Sequence, residues 1–116
     1  MIYWYRKLYT DDKVQPHTKK IQKKILSGKG KKKYYVILLS RQKENLLEVL
    51  KTDVAFYRFH KEEELYVIGL ASTWEKAVQI IQEILVEGYG KNPDFQLKNS
   101  FSMSDFQPAG KNSDGR

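Results

Sequence analysis

Leu65-Tyr66-Val67-Ile68-Gly69-Leu70-Ala71-Ser72-Thr73-Trp74-Glu75 decides how the rest of the chain is read. Seven nearly unbroken apolar residues suit a strand buried on both faces. Ser72 or Thr73 then offers a hydroxyl to cap a helix. Ala77, Val78, Ile81, Ile84 and Leu85 continue at helical spacing as far as Gly88 and Gly90, which are expected to end it. A weaker copy stands 31 positions earlier. Tyr35-Val36-Ile37 matches Tyr66-Val67-Ile68, and Leu46, Leu47, Val49 and Leu50 match Ala77, Val78, Ile80 and Ile81.

Working outward, Tyr34–Ser40 is predicted as a strand, Glu44–Lys51 as a short helix with Leu46, Leu47 and Leu50 inward, and Val54–His60 as an alternating strand. Lys61-Glu62-Glu63-Glu64 makes a polar hairpin, and Phe95-Gln96-Leu97 a last edge strand. The order is βαββαβ, so the expected fold is α+β with a ferredoxin-like core over residues 34–101. That plan puts Tyr34–Ser40 and Leu65–Ala71 side by side and parallel at the centre.

Ahead of the core, Ile2–Tyr9 alternates, with Tyr3, Tyr5 and Tyr9 on one side and Ile2, Trp4 and Leu8 on the other, as in a strand. Pro16 can open a helix whose apolar positions are Ile21, Ile25 and Leu26, with Gly28 as its C-cap. Residues 1–102 therefore read as one domain, 1–33 being a basic strand–helix extension and 34–102 the core. Residues 103–116 are polar, with only Met103 and Phe106 as anchors, and are expected to be a disordered tail.

A four-stranded ferredoxin-like sheet carries helices on one face only. Yet Val36, Ile37, Leu38, Leu39, Val67, Ile68 and Leu70 are apolar on both faces. Each gains roughly 1.5–3 kcal/mol on burial, so a bare second face is a poor solution. The expected cover is the Ile21/Ile25/Leu26 stripe, the aromatic first strand, or a second copy in a homodimer. Gly69, inside the central strand, marks close approach by Trp74 or by an aromatic of that first strand.

The 116 residues suffice for one core. With 41% apolar and 30% charged residues, the composition is that of a globular protein. No cysteine is present, which excludes disulfides, thiol nucleophiles and iron–sulfur ligation. No apolar run reaches the 18 residues of a membrane span. Met1–Lys7 places aromatics before charges without a cleavage site, unlike a signal peptide, so the cytoplasm is the expected compartment.

The net charge of +7 is uneven. Residues 1–33 hold eleven Lys and Arg against two Asp, a balance of +9, and residues 34–116 hold ten against twelve acids, a balance of −2. Lys19, Lys20, Lys23, Lys24, Lys29, Lys31, Lys32 and Lys33 form the one large basic patch. Such a patch can neutralise nucleic-acid phosphates, touch an anionic membrane surface, or simply keep the protein soluble. Arginines able to fork onto bases are few, so contact without sequence preference is the form expected.

Other motifs fall short. Ser27–Lys33 mixes Gly and Lys but lacks the Gly-x4-Gly-Lys-Ser/Thr spacing of a phosphate loop. The Leu65–Ala71 strand has one aromatic where an RNA-recognition sheet has several, although Tyr35 and Tyr66 could stack on bases. His60, Glu62 and Glu64 are ligand types without a third anchored ligand, and His17 stands alone. No nucleophile, acid–base pair, cofactor motif or small-molecule site is recognisable, and a non-enzymatic protein is expected.

The βαββαβ order resembles small-molecule-sensing ACT-type regulatory domains, which pair through their sheets. The resemblance is of topology, since Ser40-Arg41-Gln42 stands where they have a glycine. Tyr3-Trp4-Tyr5, the lysine-rich helix, Asn45-Leu46-Leu47-Glu48-Val49, Val67-Ile68-Gly69-Leu70-Ala71 and Asp94-Phe95 together resemble short hypothetical proteins of Gram-positive gut bacteria over about residues 2–101. That group brings no assigned activity. The two function classes left are a nucleic-acid-binding protein and a homodimeric interaction or regulatory module.

Overall fold

A computed structural model describes residues 1–27, 34–40, 47–60 and 64–108. The fold is α+β: a mixed five-stranded sheet with three helices. In chain order the elements are β1 (Ile2–Thr10), α1 (Thr18–Ser27), β2 (Tyr35–Leu39), β3 (Leu47–Lys51), α2 (Thr52–His60), β4 (Leu65–Ala71), α3 (Trp74–Lys91) and β5 (Phe106–Pro108). Short 3-10 turns lie at Gln15–His17, Leu97–Asn99 and Met103–Asp105.

The strand order is β3-β2-β4-β1-β5. β4 runs parallel to β1 and antiparallel to β2, and the β2–β3 and β1–β5 pairs are antiparallel. This is not the ferredoxin-like order. The two most apolar strands do sit side by side at the centre, but Tyr35 pairs with Ala71 and Val36 with Leu70, so they are antiparallel rather than parallel. The 31-residue echo is thus a likeness of two neighbouring strands and not of two folded units, because β4 leads to a helix and β2 to a strand.

The helix and strand expected between 44 and 60 are exchanged. Leu47–Lys51 completes a five-residue ladder with β2, from Leu39↔Leu47 to Tyr35↔Lys51, with Leu47 and Val49 toward one face and Leu50 toward the other. Thr52–His60 then turns helical, its start tied by the Thr52 N–H to the Tyr34 carbonyl at 2.9 Å. The expected edge strand at Phe95–Leu97 is absent, and Leu97 starts a 3-10 turn. The fifth strand comes instead from Phe106–Pro108, inside the stretch expected to be tail. Phe106 is buried there, and Arg6 holds Asp105 at 3.1 Å beside it. Residues 28–33, 41–46, 61–63 and 109–116, with the C-cap at Gly28, the polar hairpin connection and the rest of the tail, lie outside the described residues.

Both sheet faces are covered from within the chain. Ile21 and Ile25 of α1 and Ala55 of α2 close over Ile2, Val36, Leu38, Val67 and Leu70. On the opposite face Ala77, Ile80 and Ile84 of α3, with Leu97, Phe101 and Phe106, close over Ile37, Leu39, Ile68 and Ala71. The basic helix is the cover that the two-sided apolarity required. The face for which a second copy was one of three expected covers is therefore occupied by α1 and α2.

β1 alternates as its sequence says, with Ile2, Trp4 and Leu8 in the first cluster and Tyr3, Tyr5 and Tyr9 in the second. β4 changes phase midway. Leu65 and Val67 face α1 and α2, and Tyr66 and Ile68 face α3; Leu70 then returns to the first side and Ala71 to the second. The slip is a bulge, since Ile37 pairs with Gly69 but Leu38 with Val67, leaving Ile68 extra. A Cβ on Gly69 would stand 3.0 Å from Ile37 Cδ1 and 3.3 Å from the Tyr9 carbonyl, which is why a glycine fills the position.

Candidate nucleic-acid interface

α1 enters from a turn built by Asp11. Its Oδ1 accepts the N–H groups of Lys13 and Val14, each at 2.9 Å, and Oδ2 accepts the Ser72 N–H at 2.6 Å and the Ser72 hydroxyl at 2.8 Å. One carboxylate thus ties the turn after β1 to the junction of β4 and α3. Burial works against its ionisation, but the donors from Ser72, Val14 and Lys13 prevail and hold its pKa below the ordinary value of 3.8.

Pro16 sits in the 3-10 turn Gln15–His17, where its missing N–H leaves no ladder bond unmade. The Thr18 hydroxyl donates back to the Gln15 carbonyl at 3.0 Å and α1 begins. Ile21 and Ile25, one turn apart, are its buried residues. That anchoring fixes the rest by helical geometry. Lys19, Lys20, Lys23 and Lys24 are all exposed, and none is in an ion pair with an acid among the described residues. Lys29, Lys31, Lys32 and Lys33 lie outside the described residues.

The electrostatics at the start of α1 are unfavourable to the helix, whereas Lys24, in its last turn, is favourably placed. Its first turn has no acidic residue, and Lys19 and Lys20 stand there, at the positive end of the macrodipole. Lys19–Lys23 and Lys20–Lys24 are like-charged pairs at i,i+4. The four cations are thus placed where their mutual repulsion goes unrelieved by a side chain of α1.

α2 lies beside α1 on the same face of the sheet. Its Ala55 is buried, while Asp53, Val54 and Tyr57 are exposed, Tyr57 by 60%. Arg58 is bound to Glu48 at 3.6 Å. The strand expected over Val54–His60 put Tyr57 on the same side as Ala55. In the helix these two point about 200° apart, so Tyr57 stands outward while Ala55 is buried.

The remaining candidates are accounted for within the fold. Tyr66 stacks on Tyr3 at 4.8 Å and meets Phe106 edge-on at 5.4 Å, and its hydroxyl donates to Glu64 at 3.2 Å. Tyr35 meets the Trp74 ring at 6.1 Å. These rings, offered by the sequence as base-stacking surfaces, are half-buried against other rings. His17 is exposed in its turn, His60 ends α2, and Glu62 lies outside the described residues. Among the described residues no three metal-ligating side chains gather, and no helix is long and apolar enough to cross a membrane.

On the opposite side of the molecule an open groove of about 570 Å³ is lined by Tyr9, Gln79, Gln82, Glu83, Val86 and Glu87. Burial, then Tyr5, Glu87 and Glu83, push the Tyr9 hydroxyl pKa up from its ordinary value of 10.0. Glu87 is paired with Lys91 at 3.8 Å. The sequence did not single out this groove, because Tyr9 comes from β1 and the other five residues from α3. Protein-family models, curated proteins and solved structures were compared with the chain, and none gave a match.

Proposed function

We propose that the protein is a non-enzymatic binding protein that contacts nucleic acid through the lysine face of α1, without reading sequence, in the cytoplasm where such a partner is met. The observation that carries this reading is the charge placement on α1: four exposed lysines, unpaired with acids among the described residues, two of them in the first turn of a helix that has no acid there. A row of like charges that no side chain of α1 offsets suits a surface shaped for something outside the chain. Phosphates supply the missing counter-charge, and Ile21 and Ile25 hold the lysines outward to meet it. The Lys29–Lys33 stretch, next to α1 in sequence, adds four more cations to the same end of the chain.

Fluorescence anisotropy with a mixed-sequence oligonucleotide at about 50 mM salt tests it. Binding is expected, with log K falling against log salt at a slope of roughly −3 to −4 on duplex if four lysines each release a counterion. Reversing Lys19, Lys20, Lys23 and Lys24 to Glu is expected to abolish it. No binding at that salt, or binding indifferent to the reversal, overturns the proposal.

A further inference from the structure

The outer surface of the α1/α2 layer carries more than charge. Lys19 and Lys23 each lie about 200° around α1 from buried Ile21, and Tyr57 lies about 200° around α2 from buried Ala55. Both sets therefore point away from the sheet. The helices are neighbours in one layer, and packed helices lie roughly 8–10 Å apart. A ring that is 60% exposed thus stands one helix away from a row of lysines, with Val54, 42% exposed, earlier on its own helix. Asp53 sits one turn before Tyr57 and is the exposed acid of α2. The lysines that attract phosphates stand on α1, and the exposed ring of Tyr57 stands on the α2 side.

That division matches one ligand geometry. In a duplex the base faces are stacked on each other, so an exposed tyrosine finds no free base face to stack on. An unpaired nucleotide presents a phosphate on one side and a free base face on the other. Resting on the reading of α1 given above, we propose that this surface selects single-stranded nucleic acid, with Tyr57 stacking on an unpaired base while Lys19 and Lys23 hold adjoining phosphates.

The test compares a fluorescent single-stranded oligonucleotide with its duplex on the full chain at low salt. Tyr57→Ala is expected to weaken single-strand binding roughly 5- to 150-fold and to leave duplex binding and the salt slope unchanged. Tyr57→Trp, with a larger ring, is expected to keep or strengthen single-strand binding. Unchanged duplex binding by Tyr57→Ala doubles as the check that α2 is still folded. Single-strand binding by Tyr57→Ala equal to that of the parent, or an equal loss on both ligands, overturns the inference. If the lysine reversal still abolishes binding in that case, the α1 reading stands alone; if neither ligand binds the parent protein, both fall.

Discussion

The two faces of the sheet are covered by different means. One face is mostly aliphatic, with Ile2, Val36, Leu38, Val67 and Leu70 beneath two short helices of ten and nine residues. The other has an aliphatic centre of Ile37 and Ile68 bordered by the rings of Tyr3, Tyr5, Tyr9, Tyr66, Phe101 and Phe106, beneath one helix of 18 residues. α3 is fastened along its length. Thr73 accepts the Lys76 N–H at 3.1 Å as N-cap, Asp11 grips Ser72 just before it, and Phe95 folds back onto Gly88 near its end. α1 has two buried isoleucines and lysines that oppose one another. A helix of ten residues with that charge pattern is held by tertiary burial rather than by its own propensity. The face under α3 is thus fastened at both ends of its helix, and the face under α1 and α2 carries the exposed lysines.

The largest way to break this contrast is to hollow each face in turn. Ile37 is fully buried against Gly69, and Ile37→Ala is expected to cost about 3–5 kcal/mol of global stability in a denaturant titration. Ile21→Ala is expected to cost nearer 2 kcal/mol, because α1 can lift away from the remaining structure. Hydrogen exchange then rises across Thr18–Ser27 and not across β2. Equal acceleration in both would contradict the difference in fastening.

Asp11 gives the next effect. Its depressed pKa means that the stabilisation is present above the unfolded value near 3.8 and is lost as pH falls through the folded value. Asp11→Ala is expected to destabilise by about 1–2 kcal/mol at neutral pH, from the acceptor lost to Ser72 and Lys13, while the Val14 N–H keeps the backbone carbonyl of residue 11 at 3.2 Å. Thermal melts between neutral pH and the acid range should be flatter for this variant than for the parent.

The smallest effects sharpen the account of α3. A Cβ on Gly88 would lie 2.4–2.6 Å from the Phe95 ring, so Gly88→Ala must displace that ring and is expected to cost about 1–2 kcal/mol. Gly90, two residues on, has open space, and Gly90→Ala is expected to stabilise by up to about 1 kcal/mol through helix propensity. Opposite signs at two glycines of one helix would show that Gly88 is there for Phe95 and not for termination.

What the sequence made legible were patterns a single element can satisfy alone. The alternation of β1, the Thr73 cap, the two-faced strands and the close approach at Gly69 all follow from local spacing. So does the outward row Lys19–Lys24, once Ile21 and Ile25 are taken as anchors. Residues 47–60 were not legible. Leu47 and Leu50 fit a helical stripe as well as a strand, and the choice is made by the open edge of β2, which is a tertiary fact. The same exchange hid Tyr57. β5 was hidden for another reason: three residues in a polar stretch carry almost no periodicity, and only the edge of β1 gives them a place to pair.

The bulge at Ile68–Gly69 sets the direction in which the chain leaves the sheet. Side chains alternate with period two, so one surplus residue inverts everything downstream of it. Leu70 and Ala71 take up their sides only because of that inversion, and Ser72 and Trp74 follow from them toward the unoccupied side. Without the surplus residue the same strand would launch its helix into the layer already filled by α1 and α2. Three helices would then compete for one side and none would shield the other. A single position in the middle of a strand thus acts as the railway points of the fold, sending a helix of 18 residues to one side of the sheet or the other.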